Sequence, residues 1–545
     1  MGHLTTPNMT DYDKTYKEFK WECPEYFNFA GDVIDKWAKD PNKLAMWWVD
    51  DDGNEVKKTF SELSNASKKL ANLLVSRGVK KGDVVMVILP RNIEWWETFT
   101  ACIRMGVMIA PGTTQLTPKD LEYRANTSQA VCIITNNDIA AKFDDVKENC
   151  ATVKTRIVIE KPRVDWMFYT DEVSKASDKF ETAKTRHDDN CLVYFTSGTV
   201  GMPKMALHTH TSYPLGHQVT GKYWLDLKPE DMHWNISDTG WAKAAWSSYF
   251  GPWNCGAAQF IHHTNRFDPK KTLDLLQKYP VTTVCGAPTI YRMLVLQDLS
   301  AYKFTTLRHC VGAGEPLNPE IIEVWKKATG CTIRDGYGQT ETVLLCASFP
   351  CIEPRFGSMG KPTPGFDLQV IDEKGNILPS NTEGDIAIRV KPNRPLGLFK
   401  EYWKEPERTA SVFRGDWYLT GDRAYRDEDG YFWFVGRADD VILTSGYRIG
   451  PFEVESALIE HPAVAESAVV SSPDETRGEI VKAFVILAPG YKASPELAKE
   501  LQEHVKKVTA PYKYPRKIDF VDALPKTISG KIRRVELRNS EWGKK

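Results

Sequence analysis

Leu192-Val193-Tyr194-Phe195-Thr196-Ser197-Gly198-Thr199-Val200-Gly201-Met202-Pro203-Lys204 reads as an apolar strand running into a loop of glycines and hydroxyl residues closed by a lysine. Small residues let backbone N–H groups approach phosphate oxygens, hydroxyls add donors, and Lys204 adds positive charge. The run is a phosphate cradle by composition. It is not a Walker loop: no Gly-Lys-Ser/Thr follows, and Pro203 removes an N–H where that motif opens its helix. Taken alone, the same run also fits a flexible surface loop.

Outward from this strand the chain alternates between strand and helix. Phe60, Leu63, Ala66, Leu70, Leu73 and Leu74 recur at helical spacing between Thr59 and Gly78, with Arg77-Gly78 as the stop. Val84 to Leu89 follows as a buried strand, then a helix through Trp95 to Met105, then strands at Ala130 to Ile134 and Ile157 to Ile159. The rhythm resumes at Val281 to Cys285, as expected of parallel sheet covered by helices. After Thr363 short alternating runs and Asp-Gly turns, such as Tyr425 to Val435 about Asp429-Gly430, predict a β-rich subdomain. From about Ala438 the pattern is a small α+β block with a helix at Phe452 to Ile459 and strands near Ala468 and Phe484. The expected fold class is α/β: a large N-terminal domain over residues 1–437, made of two α/β subdomains and a β-rich subdomain, then a small mobile α+β domain over 438–545.

The 545 residues exceed one ordinary core, and a formal charge of −1 leaves no global field for nucleic acid or an anionic membrane. The 11 cysteines form no CxxC pair and read as buried thiols in a reducing compartment. No apolar stretch approaches the roughly 20 residues of a membrane span, and the segment around Asp11 to Tyr26 is unlike a signal or transit peptide. A cytoplasmic protein is therefore expected, and self-association into a homo-oligomer stays open. The pairs His208 with His210 and His262 with His263 have no carboxylate or thiol at ligand spacing, so they do not read as a metal site.

Five further runs follow the loop in order: Gly312-Ala313-Gly314-Glu315-Pro316, Asp335-Gly336-Tyr337-Gly338-Gln339-Thr340-Glu341, Tyr418-Leu419-Thr420-Gly421-Asp422, Gly436-Arg437-Ala438-Asp439-Asp440 and Pro525-Lys526-Thr527-Ile528-Ser529-Gly530-Lys531. Each alone is readable as a turn. Together with the loop they resemble the motifs of the AMP-forming adenylating superfamily, from about Phe29 to the tail, and Ser445-Gly446-Tyr447-Arg448-Ile449-Gly450, Arg477-Gly478-Glu479 and Ala510 to Arg516 resemble its medium-chain acyl-CoA synthetase branch.

That resemblance implies activation of a carboxylic acid by ATP as an acyl-adenylate, followed by transfer to coenzyme A, with Mg²⁺ as cofactor. Thr196 to Lys204, Gly314, Glu315, Pro316, Asp335 to Thr340, Asp422, Arg437 and Lys531 would bind ATP. Within that set Tyr337 would stack on adenine, Asp422 would take the ribose hydroxyls, and Thr340 would bridge the α-phosphate and the acid. Lys531, Thr340 and Glu341 are the expected catalytic residues, Glu341 the metal ligand and Asp439 the hinge. Ser445, Gly446, Tyr447, Arg477, Lys506, Tyr514, Pro515 and Arg516 would line the CoA path. Val200 departs from the family pattern, where a small hydroxyl residue is usual.

The acid is read from Gly338, where the family's acetate enzymes carry a tryptophan; glycine removes that plug, and Trp241, Gly286 and Ala313 complete the expected acyl pocket. A medium-chain fatty acid is implied, with branched short-chain and aromatic acids as other occupants. Loading of a carrier protein in place of free CoA is the alternative.

Overall fold

The computed structural model describes residues 6–196, 203–315, 317–438, 440–444, 447–474, 477–526 and 532–543. The helix expected between Thr59 and Gly78 spans Phe60–Ser76. Its start is fixed by a capping box, with Glu62 N donating to Thr59 Oγ1 at 3.2 Å and Thr59 N donating to Glu62 Oε2 at 2.8 Å. Gly78, at φ +83°, turns the chain away. Phe60, Leu63, Leu70, Leu73 and Leu74 are buried, and this face packs on the helix Ile93–Met105. Arg104 of that second helix is wholly buried, yet satisfied: it donates to both carboxylate oxygens of Asp35, at 2.7 and 2.8 Å, and to Ser67 and Thr182.

These helices cover an eight-stranded sheet ordered Glu401–Tyr402, Lys204–Thr209, Asn190–Thr196, Met108–Pro111, Val84–Ile88, Cys132–Thr135, Thr155–Val158 and Met167–Phe168. It is parallel except where the two strands nearest Glu401 run antiparallel to their neighbours. A second, nine-stranded sheet holds Ile333–Gly338, His309–Ala313, Thr283–Gly286, Met232–Ile236 and Ala258–His263 in parallel order. Its far edge is the hairpin Leu44–Asp50 and Glu55–Thr59, which precedes the whole first unit in the chain. The two α/β units are thus stitched together by an early exchange of strands that local alternation does not reveal.

The β-rich subdomain is a five-stranded sheet in which Trp417–Arg426 pairs antiparallel with Phe432–Arg437, setting Asp422 opposite Arg437. The C-terminal block forms its own sheet, Tyr447–Ile449, Ile442–Thr444, Gly478–Leu487 and Val464–Asp474, with Lys517–Phe520 added in parallel. The helices Pro451–Ile459 and Pro495–Val508 close a separate core of Val454, Leu458, Val469, Val481, Leu501 and Val505. An amino-terminal arm straps the molecule: Tyr12 and Tyr16 hydroxyls and the Trp21 indole donate to the carbonyls of Pro362, Phe366 and Gly365. Among the described residues no helix is long and apolar enough to cross a membrane.

Candidate active site

The phosphate-cradle reading of Thr196 to Lys204 falls on a hairpin. Asn190–Thr196 returns as Lys204–Thr209 with Thr196 opposite Lys204, while 197–202, carrying Ser197, Gly198, Thr199, Val200, Gly201 and Met202, lie outside the described residues. The return as a strand explains Pro203, because no helix opens here and no N–H is required; its carbonyl accepts from the Tyr123 hydroxyl at 2.9 Å. Thr196 and Lys204 form one wall of a cleft of about 780 Å³.

Lys204 Nζ donates to the Tyr402 hydroxyl at 2.6 Å and stands 3.4 Å from Glu341 Oε1; the Tyr402 hydroxyl donates to the same carboxylate oxygen at 2.8 Å. Burial lowers the Lys204 ammonium below its usual range, and Glu341 acts against that shift. Glu341 is itself buried, and a single carboxylate on a cleft wall is the kind of protein ligand Mg²⁺ takes when phosphate and water supply the rest. Among the described residues no cluster of three His, Cys, Asp or Glu side chains stands close enough to hold a metal by itself.

The opposite wall comes from Ile333–Gly338 and the turn after it. Burial pushes the Asp335 carboxyl up to about 7, and its Oδ1 accepts from Gly336 N at 2.8 Å. Tyr337 and Gln339 converge on Asp422: the phenol donates to Oδ2 at 2.6 Å and the amide to the same oxygen at 2.8 Å. Arg437 Nε stands 3.4 Å from Oδ1. Four residues from three motifs therefore form one unit on the cleft wall, joined by two hydrogen bonds and an ion pair. Thr340 and Gly338 line the same space, as do Gly314 and Glu315. Glu315 Oε1 accepts from Thr289 N and Oγ1 and from Arg292, holding the start of the helix Pro288–Val295 against the cleft. Pro316 lies outside the described residues.

The C-terminal block supplies the remaining wall through Phe452, Glu455, Ile532, Arg533 and Arg534. Arg534 pairs with Glu455 at 2.9 and 2.6 Å, and Arg538 with Asp440 at 2.7 Å. Lys531 and Asp439, the expected catalytic lysine and hinge, lie outside the described residues.

The expected CoA residues gather elsewhere. Lys506 Nζ and the Arg516 guanidinium both stand over the Tyr514 ring, at 4.2 and 4.8 Å, with Pro515 buried between Tyr514 and Arg516 in the chain. Arg516 N donates to Val481 O on the strand Gly478–Leu487, whose first residue follows Arg477. Thr444 pairs with both Tyr447 and Gly478, which brings those two strand ends together. Ser445 and Gly446 lie outside the described residues. None of the described members of this set lines the cleft.

The acyl-pocket set divides. Gly338 lines the cleft, whereas Trp241, Gly286 and Ala313 do not. Gly286 pairs with Gly312 and Ala313 with Gly336, so they sit in the sheet behind the wall, and Lys243 Nζ donates to Ala313 O at 2.6 Å. Gly338 is also needed for a reason the sequence did not show: a Cβ there would stand 2.6 Å from the Val343 carbonyl oxygen. Tyr402 and Arg534 escaped the sequence reading, and His208 was weighed there only as half of a histidine pair. Their signals are contacts with residues far away in the chain, which no local pattern carries.

Comparison with known proteins shows the family of the chain. The profile of the AMP-binding enzymes matches residues 34–403, and that of the AMP-binding enzyme C-terminal domain matches 453–531. The chain is 54% identical to acyl-coenzyme A synthetase ACSM3, mitochondrial, of Homo sapiens, covering 99% of this chain and 94% of that one. It is 52% identical to acyl-coenzyme A synthetase ACSM4, mitochondrial, of Homo sapiens, covering 95% and 91%. Among solved structures, an anthranilate CoA ligase in complex with anthranoyl-AMP superposes with a TM-score of 0.87 at 31% identity, covering 95% of this chain and 98% of that one. The Brucella canis acyl-CoA synthetase gives 0.76 at 36% identity, covering 98% and 99%. The expected cytoplasmic location is overturned by these relatives, which are mitochondrial by name. That expectation rested on the unpaired cysteines, the lack of an apolar span and the composition around Asp11 to Tyr26, none of which excludes a mitochondrial compartment.

Proposed function

The chain belongs to the AMP-binding enzymes as an acyl-coenzyme A synthetase, and from that premise we propose that it activates a medium-chain carboxylic acid in mitochondria, using the cleft residues as follows. A carboxylate oxygen of the acid attacks the α-phosphorus of ATP. The new C(O)O–P bond forms as the bond to the β-phosphate oxygen breaks, and pyrophosphate leaves. Both reactants are anions, so the residues must neutralise charge and fix the approach. Lys204 and Lys531 carry positive charge toward the phosphates, Thr340 orients α-phosphate and acid, and the Asp422 unit holds the ribose beside Tyr337. Glu341, with Tyr402 on one oxygen, holds Mg²⁺, which would neutralise phosphate charge when bound.

In the second step the CoA sulfur attacks the acyl carbon, the acyl–O bond to AMP breaks, and AMP leaves. The observation that carries the reading is the joining of Lys204 and Glu341, Thr340, and Asp422 on one cleft closed by Arg534 of the C-terminal block. The position of the CoA residues off that cleft supports a rotation of the small domain between the two steps. Pyrophosphate release with free CoA should be saturable with straight-chain acids of medium length in a panel that includes branched and aromatic acids. Activity that needs an acyl carrier protein and ignores free CoA would favour the carrier-loading alternative.

Gly338 separates two accounts of acid selection. If glycine only leaves a plug out, Gly338→Ala narrows the pocket slightly and lowers kcat/KM for the longest acids alone. The 2.6 Å approach to the Val343 carbonyl instead requires the backbone to move, and with it the turn that carries Thr340 and Glu341. The expected result is a loss of about 10² in kcat/KM shared by acids of every length, measured across the same panel.

A further inference from the structure

His208 lies on Lys204–Thr209, four residues beyond Lys204 and so on the same face of that strand. Its side chain is fully buried, and Nε2 stands 2.7 Å from the backbone carbonyl of Thr340. A carbonyl only accepts, so Nε2 carries the proton. Burial lowers the imidazole to about 4, which keeps the ring neutral and leaves Nδ1 as an acceptor. Ser212 Oγ, 3.1 Å from Nδ1, already accepts from Thr209 N at 2.8 Å, so its hydroxyl proton points to the ring. The Tyr213 ring packs 4.5 Å from the imidazole, centroid to centroid. Proton, tautomer and ring orientation are all fixed by neighbours.

The turn that His208 reaches is tied at each step. Gln339 N donates to Thr342 Oγ1 at 3.0 Å, and Glu341 O accepts from Phe399 N at 2.7 Å. Thr340 O is held by the imidazole. The strand leaving the phosphate loop therefore grips two consecutive residues of the acid motif, Thr340 through His208 and Glu341 through Lys204.

We propose that His208 is a positioning residue for adenylation: as a neutral Nε2–H donor it sets the Thr340 backbone, and thereby the alignment of acid and α-phosphate, without touching either. The inference rests on the adenylation reading above. Its test is acid-dependent ATP/pyrophosphate exchange by wild type, His208→Leu, His208→Gln and Ser212→Ala, each assayed below its unfolding midpoint. Misalignment on the scale of 1 Å costs about 10²-fold, so His208→Leu should lose about that much in kcat with KM for ATP within about threefold of wild type. His208→Gln, whose amide nitrogen reaches the Nε2 position, should recover at least about tenfold of the loss. Ser212→Ala, which frees the tautomer, should lose less than His208→Leu but more than about twofold, and it keeps the test decisive where the leucine variant does not fold. Full kcat in His208→Leu or Ser212→Ala, a glutamine variant no better than leucine, or a loss confined to KM for ATP overturns the inference alone. Wild-type protein that exchanges pyrophosphate with no acid overturns the adenylation reading and this inference with it.

Discussion

Lys531→Ala is expected to abolish acid-dependent ATP/pyrophosphate exchange, by at least about 10³-fold, while thioester formation from supplied acyl-adenylate stays within about threefold of wild type. The first half-reaction joins two anions and expels a third, so a lost cation is felt in full there. The second expels AMP from an activated acyl group and leaves no pyrophosphate to neutralise. Compensation by neighbouring cations is poor, because those among the described cleft residues already face carboxylates: Lys204 faces Glu341, Arg292 faces Glu315, Arg437 faces Asp422, Arg533 faces Glu536 and Arg534 faces Glu455. Ile532 and Arg533, which follow Lys531 in the chain, line the same cleft. Equal loss in both half-reactions would refute the division of labour and the rotation built on it.

What the sequence revealed and what it hid follow from contact range. Phe60–Ser76 was legible because its apolar period and its Thr59/Glu62 cap are local, and the hairpin about Asp429-Gly430 for the same reason. The hairpin Leu44–Asp50 and Glu55–Thr59 was not, since its partner Ala258–His263 lies about 200 residues away and nothing in either strand names the other. The site divides the same way. Its motifs are contiguous runs and could be read from the chain. Tyr402 meets Lys204 across 198 residues and His208 meets Thr340 across 132, so neither role shows in a local run of sequence. Gly338 is the intermediate case: its absence of a side chain was visible, but the Val343 carbonyl that forbids one was not.

Asp422 is where several of these runs meet, and Asp422→Ala should lower kcat/KM for ATP by about 10²- to 10⁴-fold. Hydrogen bonds to a charged acceptor contribute about 1.5–3 kcal/mol each, and the ribose would offer two hydroxyls to this carboxylate. The carboxylate is buried and gathers the Tyr337 hydroxyl and the Gln339 amide, with Arg437 3.4 Å away, so its loss also releases the phenol expected beside adenine. These two effects separate by substrate. If Asp422 reads the ribose, wild type discriminates strongly against 2′-deoxy- and 3′-deoxy-ATP, and the alanine variant treats them and ATP nearly alike. If Asp422 only braces Tyr337 and Gln339, the variant is slower but keeps the wild-type discrimination. Equal ratios of kcat/KM between ATP and the deoxy analogues in both proteins would assign the ribose to other groups. Asp422 lines the cleft together with Tyr337, Gln339 and Arg437, so a ribose hydroxyl that reached this carboxylate would lie beside the phenol.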